Sequence, residues 1–594
     1  MSFYQPPVRD LRFLFEEVLE GARLQQLPGY EEVDADTVEA ILEEAGKFCE
    51  GELQPINRNG DEEGCHFVNG MVTTPKGYKE AYQAFCDSGW NSIAMEADYG
   101  GQGLPKTIGL MIDEMMASTN MSFSLYPGLT TGAYTAMAAH ASDEIKETYF
   151  PKMAEGTWSG TMCLTEPHCG TDLGLLRTKA IPNDDGSFRI TGTKIFITAG
   201  EHDLTENILH LVLARTPDAP KGIKGISLFL VPKFKVGKDG GLDERNGVHC
   251  GSIEHKMGIK ASATCVMNFD DAEGYLIGGL NKGMQAMFKM MNTERVAVGI
   301  QGLGIAEAAY QGAVSYAHER LQGRSLTGAK QPEQAADPLI VHPDVRRMLL
   351  TIRANTQGCR ALAVWLGTLL DVSAKSQAGE QRKEAEELVA LLTPVAKAFM
   401  TDVGFESAVM GQQVFGGHGY IREHGMEQLV RDARITQIYE GTNGVQAMDL
   451  VGRKLPAEEG RYATRFFDLV QSFIDEHRHD SALNEFTAPT AKALERLKKA
   501  TGWLAKNGFQ NPDHVGAGAV EYTRLFGLTV LAYLWARMSK QALAHLEGED
   551  PDFYLAKVKT ARFFMQRILP QTSAYYECVV AGGGTLMDFE DVAF

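Results

Sequence analysis

The chain of 594 residues is too long for one hydrophobic core and predicts three or four packing units of ordinary domain size. With 44% apolar and 23% charged residues, its composition is that of a globular protein and not of a disordered or fibrous one. The 77 acidic residues outnumber the 57 basic ones and give a net charge of -20, which repels a phosphate backbone, so we expect no nucleic-acid partner.

The cysteines and the N-terminus give no sign of export. Nine scattered cysteines include no C-x-x-C pair, which argues against a disulfide framework or a structural zinc site. His418, Glu423 and His424 lack the spacing of a zinc motif, so we expect no metal. The start of the chain lacks a basic segment followed by an apolar one, and no run of 18 apolar residues follows. We therefore expect a cytoplasmic protein that is not integral to a membrane.

The first section, 34–158, has a helical pattern. Apolar residues recur at three- and four-residue spacing in segments such as Val38 to Cys49 and Ile108 to Ala117. These segments surround a glycine-rich turn at 99–103. We predict an N-terminal helical domain.

The pattern changes near Gly160. Short alternating or continuously apolar stretches, bounded by clusters of Pro, Gly and Asp, predict strands at 188–190, 194–198, 208–213, 226–231 and 264–269. We interpret 159–275 as a middle β domain.

From Met284 the helical pattern returns, and it is interrupted by a polar insert at 323–337. The helices on either side of this insert predict a helical bundle domain over 280–455. Further helical pattern after Leu455, including the amphipathic stretch from Tyr522 to Leu546, predicts an extra C-terminal helical domain over 460–594. Helices, then strands, then helices indicate an α+β fold with segregated domains.

The helix that begins at Met284 carries an apolar stripe that continues into Glu294 and Arg295. A charged pair in a buried stripe is costly unless the charges satisfy each other or a ligand. A structural ion pair and a role that faces a ligand are about equally favoured. Gly302 and Gly304 follow no strand and lack a third glycine, so we interpret them as a small-residue face for close helix packing and not as a dinucleotide motif.

The segment from Arg431 to Gln446 contains a glutamate in an unusual setting. Glu440 stands between an apolar pair and a glycine, just ahead of a helix that Asn443 could cap. The N–H groups at the start of that helix could hold a phosphate. A solvated loop glutamate is the alternative, and the segment by itself favours it.

Two further segments have features of a cofactor site. The turn from Thr165 to Asp172 groups backbone N–H groups and hydroxyls that could hold an anionic or heteroaromatic edge, although an ordinary connecting loop is the simpler interpretation. Gly416 and Gly417 end a helix, which is a normal helix stop. Because neither has a Cβ, they would also let the backbone approach a bulky phosphate.

In chain order, these segments resemble motifs of the acyl-CoA dehydrogenase family over approximately residues 34 to 455. The motifs are Tyr99-Gly100-Gly101-x-Gly103, Leu164-Thr165-Glu166-Pro167-x-x-Gly170-Thr171-Asp172, Lys194-x-Phe196-Ile197-Thr198, Gln413-Val414-Phe415-Gly416-Gly417 and Tyr439-Glu440-Gly441-Thr442-Asn443. The resemblance implies that family's fold, with the middle β domain as a β-barrel. The length beyond Leu455 resembles the long bacterial subgroup of the 3-methylmercaptopropionyl-CoA dehydrogenase and fatty acyl-CoA dehydrogenase type.

The resemblance implies FAD as the cofactor and an acyl-CoA thioester as the substrate. It assigns to FAD the residues Met162, Leu164, Thr165, Gly170, Thr171, Phe196, Thr198, Arg320, Gln322, Gln413, Phe415, Gly416, Gly417, Thr442 and Asn443. It assigns to the substrate Thr171, Asn292, Arg295, Tyr439 and Gly441. Phe196 stands where many members have Trp, Asn292 replaces a frequent Asp, and a long insert follows Gln322 in place of a Phe-Gly-Lys element.

The implied chemistry is removal of the α proton by a carboxylate and of the β hydrogen as hydride by flavin N5, which forms a trans-2-enoyl-CoA. Glu440 fills the position of the base in most members, and Glu294 fills the position used by a subset that includes isovaleryl-CoA dehydrogenase. We assign the base to Glu440. Glu294 is then an ion pair to Arg295 or a modulator.

Substrate and partners are less specified by the resemblance. Medium- or long-chain fatty acyl-CoA, as in fatty acid β-oxidation, and 3-methylthiopropanoyl-CoA both remain candidates. We expect an electron-transferring flavoprotein as electron acceptor and a homodimer. The alternatives are an acyl-CoA oxidase that uses O2 and, from another class, a DNA-binding or assembly-factor relative of the fold.

Overall fold

The computed structural model describes residues 4–19, 21–237 and 240–593. Within them helices precede and follow a section of strands, which confirms the α+β class predicted from the order of the patterns. All five predicted strand segments lie in the main sheet, and 188–190 and 194–198 are two parts of one strand.

The N-terminal section consists of helices and a small hairpin. Their bounds are α1 Val8–Arg12, α2 Ala35–Phe48, α3 Gln54–Glu63, β1 His66–Val68, β2 Met71–Thr73, α4 Tyr78–Asp87, α5 Lys106–His140 and α6 Asp143–Ala154. α5 bends at Asn120, where the backbone is not helical. The side-chain carbonyl of Asn120 accepts the N–H of Phe123 at 3.0 Å and so starts the second half of α5 as an N-cap does. Both halves of α5 line the cavity described below.

The middle section is a curved sheet with a small separate ribbon. The strands are β3 Trp158–Cys163, β4 Lys179–Pro182, β5 Phe188–Thr198, β6 Asn207–Ala214, β7 Ser227–Pro232, β8 Phe234–Val236, β9 Leu242–Arg245, β10 Val248–Ile253 and β11 Thr264–Ile277. The main sheet has the order β3-β6-β7-β11-β5-β4, and β10 also pairs with β11. The N–H of Ala180 donates to the carbonyl of Arg215 at 2.8 Å, and the N–H of Arg215 donates to Thr178 at 2.9 Å. These bonds join the β4 edge back to the end of β6 and close the sheet into a barrel.

The helical bundle follows the barrel. Its helices are α7 Gly283–Glu319, α8 Pro343–Lys375, α9 Gly379–Val414, α10 Met426–Thr436 and α11 Asn443–Asp449. Gly302 of α7 meets the backbone of α9, where a Cβ would lie 2.6 Å from the Met400 carbonyl oxygen. Gly304 meets α5, where a Cβ would lie 2.9 Å from the Glu114 carbonyl oxygen. The predicted small-residue face is confirmed, and it holds α7 tightly between α5 and α9.

Among the residues that the structure describes, one helix is long and apolar enough to cross a membrane by length and composition alone. This helix is α9, and 78% of its most apolar window is buried inside the protein. A helix that is apolar all round and covered by other helices is typical of a protein core.

The C-terminal helices share one hydrophobic core with the N-terminal section and the bundle. They are α12 Arg461–Glu476, α13 Asn484–Gly508, α14 Asp513–Ala544, α15 Pro551–Phe563, α16 Gln571–Ala581 and α17 Gly584–Met587. The indole N–H of Trp535 on α14 donates to the Ala354 carbonyl of α8 at 3.2 Å. Gly527 of α14 approaches Phe399 of α9 so closely that a Cβ would lie 2.4 Å from its ring. The extension therefore packs directly onto α8 and α9.

A buried cluster of charges around Arg360 joins helices from three sections of the chain. Arg360 on α8 donates to Glu114 on α5 and to Glu307 on α7, each at 2.6 Å, and to Asp10 on α1 at 2.5 Å. Lys557 on α15 also donates to Asp10. Burial raises the pKa of Glu114 to about 7, with smaller contributions from Glu307 and Asp10, although Arg360 acts in the opposite direction.

We expect Arg360→Met to destabilise the protein strongly, because it leaves three buried carboxylates with one fewer cation. Removal of one partner from a buried ion pair costs about 3 to 5 kcal/mol. Chemical denaturation of the variant should therefore show a clearly lower midpoint. Arg347→Met on the same helix is the control, because its pair with Asp344 is exposed and such pairs contribute about 0 to 1 kcal/mol. Equal denaturation midpoints for the two variants would show that the buried contacts of Arg360 stabilise the protein no more than the exposed pair of Arg347.

Candidate active site

Residues 437–442, called the Glu440 loop here, connect α10 to α11. Glu440 and Gly441 both have positive φ, at 56° and 84°. The left-handed conformation costs an L-residue roughly 1 to 2 kcal/mol, so Glu440 holds it only because its surroundings fix it. The side-chain amide of Gln446 donates to the Glu440 carbonyl at 3.0 Å, and a Cβ on Gly441 would lie 2.5 Å from the same nitrogen. A glycine at 441 is therefore required for this turn.

The cap of α11 differs from the sequence prediction. Thr442, and not Asn443, is the N-cap, because its hydroxyl accepts the N–H of Val445 at 3.3 Å. The side chain of Asn443 instead reaches α9, where it accepts from Lys397 Nζ at 2.9 Å and donates to Asp402 at 2.7 Å. The loop is thus tied to α9 by side chains that the local sequence pattern could not pair.

Glu440 lies among cations that favour its ionised form. Burial raises the pKa of Glu440 to about 7, while Arg295 and Lys397 act in the opposite direction. Burial in turn lowers the pKa of Lys397 to about 7, against the charges of Glu440 and Asp402. A carboxyl with a pKa near neutrality is a much stronger base than a solvated glutamate and is still ionised in a large fraction of molecules.

Glu294 has a different environment, although the sequence places it one residue from Arg295. Its side chain is only 4% exposed and packs on Gly132, where a Cβ would lie 2.1 Å from Oε1. Burial holds its pKa well above the usual value, and the nearby Glu440 and Asp113 add to this effect. Its surroundings therefore favour the protonated form of Glu294 more than water would.

The predicted ion pair between Glu294 and Arg295 is wrong. Arg295 lies 3.9 Å from the carboxylate of Asp449 and donates to Asn292 at 3.4 Å. Adjacent residues of a helix point in different directions, so neighbours in the sequence do not face each other. Arg295 faces α11 and Glu440, whereas Glu294 faces α5.

Glu294 lines a cavity of about 980 Å³, a volume that includes its open mouth. The wall includes Trp90, Met95, Asp113, Met116 and Tyr134. It is therefore mostly apolar, with a second carboxyl at Asp113, whose pKa burial raises to about 7. An elongated apolar chain could enter this cavity beside Glu294. The sequence analysis did not find Asp113, although the adjacent acidic residues Asp113 and Glu114 in the otherwise apolar stretch from Ile108 to Ala117 were a signal.

The structure brings two of the predicted flavin-binding segments together. The N–H of Ile195 on β5 donates to the Thr165 carbonyl at 2.9 Å, so the 165–172 turn lies beside the end of that strand. Phe196, the next residue, has a positive φ of 59° and a ring that is 60% exposed. An exposed aromatic ring next to a turn with open polar groups fits the planar, heteroaromatic part of a flavin.

The other predicted flavin-binding residues near the 165–172 turn and β5 differ in exposure. Met162 and Leu164 are buried, Thr198 is partly buried, and Gly170 and Thr171 are exposed in the turn. Lys194, which the sequence analysis gave no role, is fully buried and donates to the Leu164 carbonyl at 3.0 Å and to Glu166 at 2.8 Å. It holds the turn against the barrel.

Thr442 and Asn443 lie at the start of α11, and the other predicted flavin-binding residues lie at the adjacent ends of α7 and α9. Gly416 and Gly417 are exposed, and a Cβ on either would meet nothing within 4 Å. Arg320, Gln322 and Gln413 are exposed as well. Phe415 differs, because its ring is buried and stacks on Tyr316 of α7 at 4.0 Å. Its side chain joins the two helix ends and leaves the glycine backbone open.

The predicted substrate-binding residues lie near Glu440, except Thr171 in the barrel turn. Asn292 is exposed on α7 and Gly441 belongs to the Glu440 loop. The hydroxyl of Tyr439 donates to Gln301 of α7, so this side chain fastens the loop to α7.

Known proteins match the chain over nearly its whole length. Domain models of acyl-CoA dehydrogenases match in order: the N-terminal domain over 35–157, the middle domain over 161–272 and the C-terminal domain over 281–455. A model described as acetyl-CoA dehydrogenase C-terminal like matches 466–590. The 3-methylmercaptopropionyl-CoA dehydrogenase of Ruegeria pomeroyi is 44% identical over 98% of this chain and 99% of its own. The chain belongs to the acyl-CoA dehydrogenase family.

Further relatives agree with this acyl-CoA dehydrogenase assignment. The broad-specificity linear acyl-CoA dehydrogenase FadE5 of Mycobacterium tuberculosis is 33% identical, with all of both chains covered. The acyl-CoA dehydrogenase of Bacillus anthracis, solved in complex with FAD, shares the fold with a TM-score of 0.75 at 21% identity, over 96% of this chain and 91% of the other. The protein is an FAD-dependent oxidoreductase that acts on acyl-CoA.

If Glu440 is the base of this acyl-CoA dehydrogenase, flavin reduction should become faster as pH rises through the pKa of Glu440, because only the ionised carboxylate accepts a proton. Lys397 lowers that pKa, so in Lys397→Met the rise of the reduction rate with pH should shift to higher pH. Near neutrality, flavin reduction should be about tenfold slower. Stopped-flow flavin reduction from pH 5.5 to 9 measures both effects. Lys499→Met is the control, because that lysine is exposed and pairs with Glu495 in the C-terminal extension. An unchanged pH dependence of the reduction rate in Lys397→Met would contradict the effect of Lys397 on the pKa of Glu440.

Proposed function

We propose that Glu440 is the catalytic base of this acyl-CoA dehydrogenase. Two carboxyls lie near each other, and their environments separate their pKa values. Glu440 has two cations nearby and a pKa of about 7, whereas the pKa of Glu294 is held well above the usual value. This difference is the observation that supports the assignment.

In the proposed reaction, Glu440 takes the α proton of the acyl thioester at a carboxylate oxygen. FAD, when bound, accepts the β hydrogen as hydride, and the product is a trans-2-enoyl-CoA. The residues that would hold FAD are the Thr165 turn, Phe196 and Thr198, together with Arg320, Gln322 and the backbone of 416 and 417. Arg295 would hold part of the CoA arm, and its charge also favours the ionised Glu440. The raised pKa of Glu294 disfavours a second negative charge beside Glu440.

The base assignment predicts a clear difference between two glutamine variants. Glu440→Gln should reduce the rate of anaerobic flavin reduction by at least about a hundredfold, the usual contribution of a general base. Glu294→Gln keeps a neutral, similar-sized side chain and should remain within about tenfold of the wild type. Flavin content and CoA-thioester binding are measured for both variants as controls. Loss of reduction in Glu294→Gln alone would reverse the assignment.

For the substrate, we propose 3-methylthiopropanoyl-CoA. The support is the 44% identity to a relative named for this reaction and a cavity whose wall contains thioether side chains and polar groups besides its aliphatic ones. A second candidate is a medium- or long-chain fatty acyl-CoA. The mostly apolar wall of the cavity favours it, because a longer alkyl chain has more apolar surface to bury there.

Anaerobic bleaching of the bound flavin separates the two candidates. Pentanoyl-CoA is the matched control, because it differs from 3-methylthiopropanoyl-CoA only by a methylene in place of sulfur. We expect the thioether substrate to be preferred by about tenfold in kcat/KM, as one group in an apolar pocket allows. A steady rise of kcat/KM from pentanoyl-CoA through octanoyl-CoA to palmitoyl-CoA would instead identify a fatty acyl-CoA dehydrogenase.

We propose an electron-transferring flavoprotein as the acceptor and a homodimer as the assembly, in the cytoplasm. The dehydrogenase names of the relatives support the acceptor, and the exposed residues at the ends of α7 and α9 support a site that a second copy completes. Peroxide release in air without an added acceptor would favour the oxidase alternative.

A further inference from the structure

The C-terminal extension reaches the Glu440 loop through one carboxylate of α9. Asp402 Oδ1 accepts from Nε2 of Gln437 and from Nδ2 of Asn443, both at 2.7 Å. Gln437 precedes Glu440 by three residues, and Asn443 follows it by three. One oxygen atom therefore fastens both ends of the loop that carries the base.

The second oxygen of this carboxylate contacts the extension. Oδ2 of Asp402 lies 3.1 Å from Nη2 of Arg524 on α14, and the two side chains are only 16% and 18% exposed. Arg524 also donates to Glu406, one turn further along α9, at 2.6 Å. A half-buried ion pair with a second partner has a more fixed geometry than an exposed pair.

We propose that Arg524 is a positioning residue for dehydrogenation. Through Asp402, it holds the Glu440 loop in the strained turn that orients the base. The inference rests on the proposed role of Glu440. Asp402, Asn443 and Arg524 line one small cavity that opens to the surface, so the three side chains are not packed tightly on all sides.

Arg524→Met tests the proposal. A displaced base slows proton abstraction but leaves the CoA contacts in place, so we expect the limiting rate of flavin reduction to fall about tenfold. The KM for the acyl-CoA should stay within about twofold. Hydrogen exchange of the holoenzyme should become faster at 437–443. Arg562→Met is the matched control, because it breaks a two-bond pair with Glu485 inside the extension, far along the chain from Asp402, and should change neither quantity.

A double-mutant cycle tests whether Arg524 acts through Asp402. Asp402→Asn should slow reduction on its own, and adding Arg524→Met should cause little further loss, because both changes interrupt one chain of contacts. Arg524→Lys retains a cation and should restore part of the rate. Glu406→Gln removes the other partner of Arg524 and should leave the rate near that of the wild type.

The outcomes separate this proposal from the assignment of the base. A normal rate and unchanged exchange in Arg524→Met, with Glu440→Gln inactive, would overturn the positioning role alone. Additive losses in the double variant would overturn the path through Asp402. An active Glu440→Gln would overturn the base assignment on which the inference rests.

Discussion

The buried guanidinium of Arg360 is the interaction on which the arrangement of the helices depends. Its carboxylate partners come from α1, α5 and α7, and Lys557 of the extension shares one of them. A guanidinium in an apolar interior needs nearly all its donors satisfied, so these helices have little freedom to slide past one another. Glu114 immediately follows Asp113, which lines the cavity. The same contacts therefore fix the wall along which an acyl chain would lie.

Near Glu440, the same cost of burying charge shifts the pKa values of two carboxyls. Arg295 and Lys397 stabilise the ionised form of Glu440, whereas burial and two neighbouring carboxyls keep the pKa of Glu294 high. The difference follows from helix geometry, because consecutive residues of α7 point about 100° apart around the helix axis. The left-handed turn at Glu440 adds a conformational cost, which the contacts of Gln446 and Asp402 offset. The Glu440 loop therefore keeps its shape only through contacts with other segments.

The sequence predicted features that depend on local pattern or on ordered motifs. The α+β class, the strands of the barrel and the close packing at Gly302 follow from periodicity and from the absence of a Cβ. Contacts between distant segments were not predictable. Lys194, Lys397 and Asp402 look like ordinary polar residues of a strand or helix, and their partners in the sites lie up to 46 residues away. The error at Glu294 has the same origin, because proximity along the chain was taken for contact in space.

The C-terminal extension shows how contacts between distant segments can connect one of its helices to a functional site. Its sequence pattern indicates only amphipathic helices, whose apolar faces must be covered. In the structure those faces complete a core shared with α8 and α9, and this packing brings Arg524 to Asp402. A family member without this segment would have to hold the corresponding loop by other contacts. If Glu440 is the base, a shift in its position changes the reaction rate directly, so we expect Arg524 to matter for the rate as well as for folding.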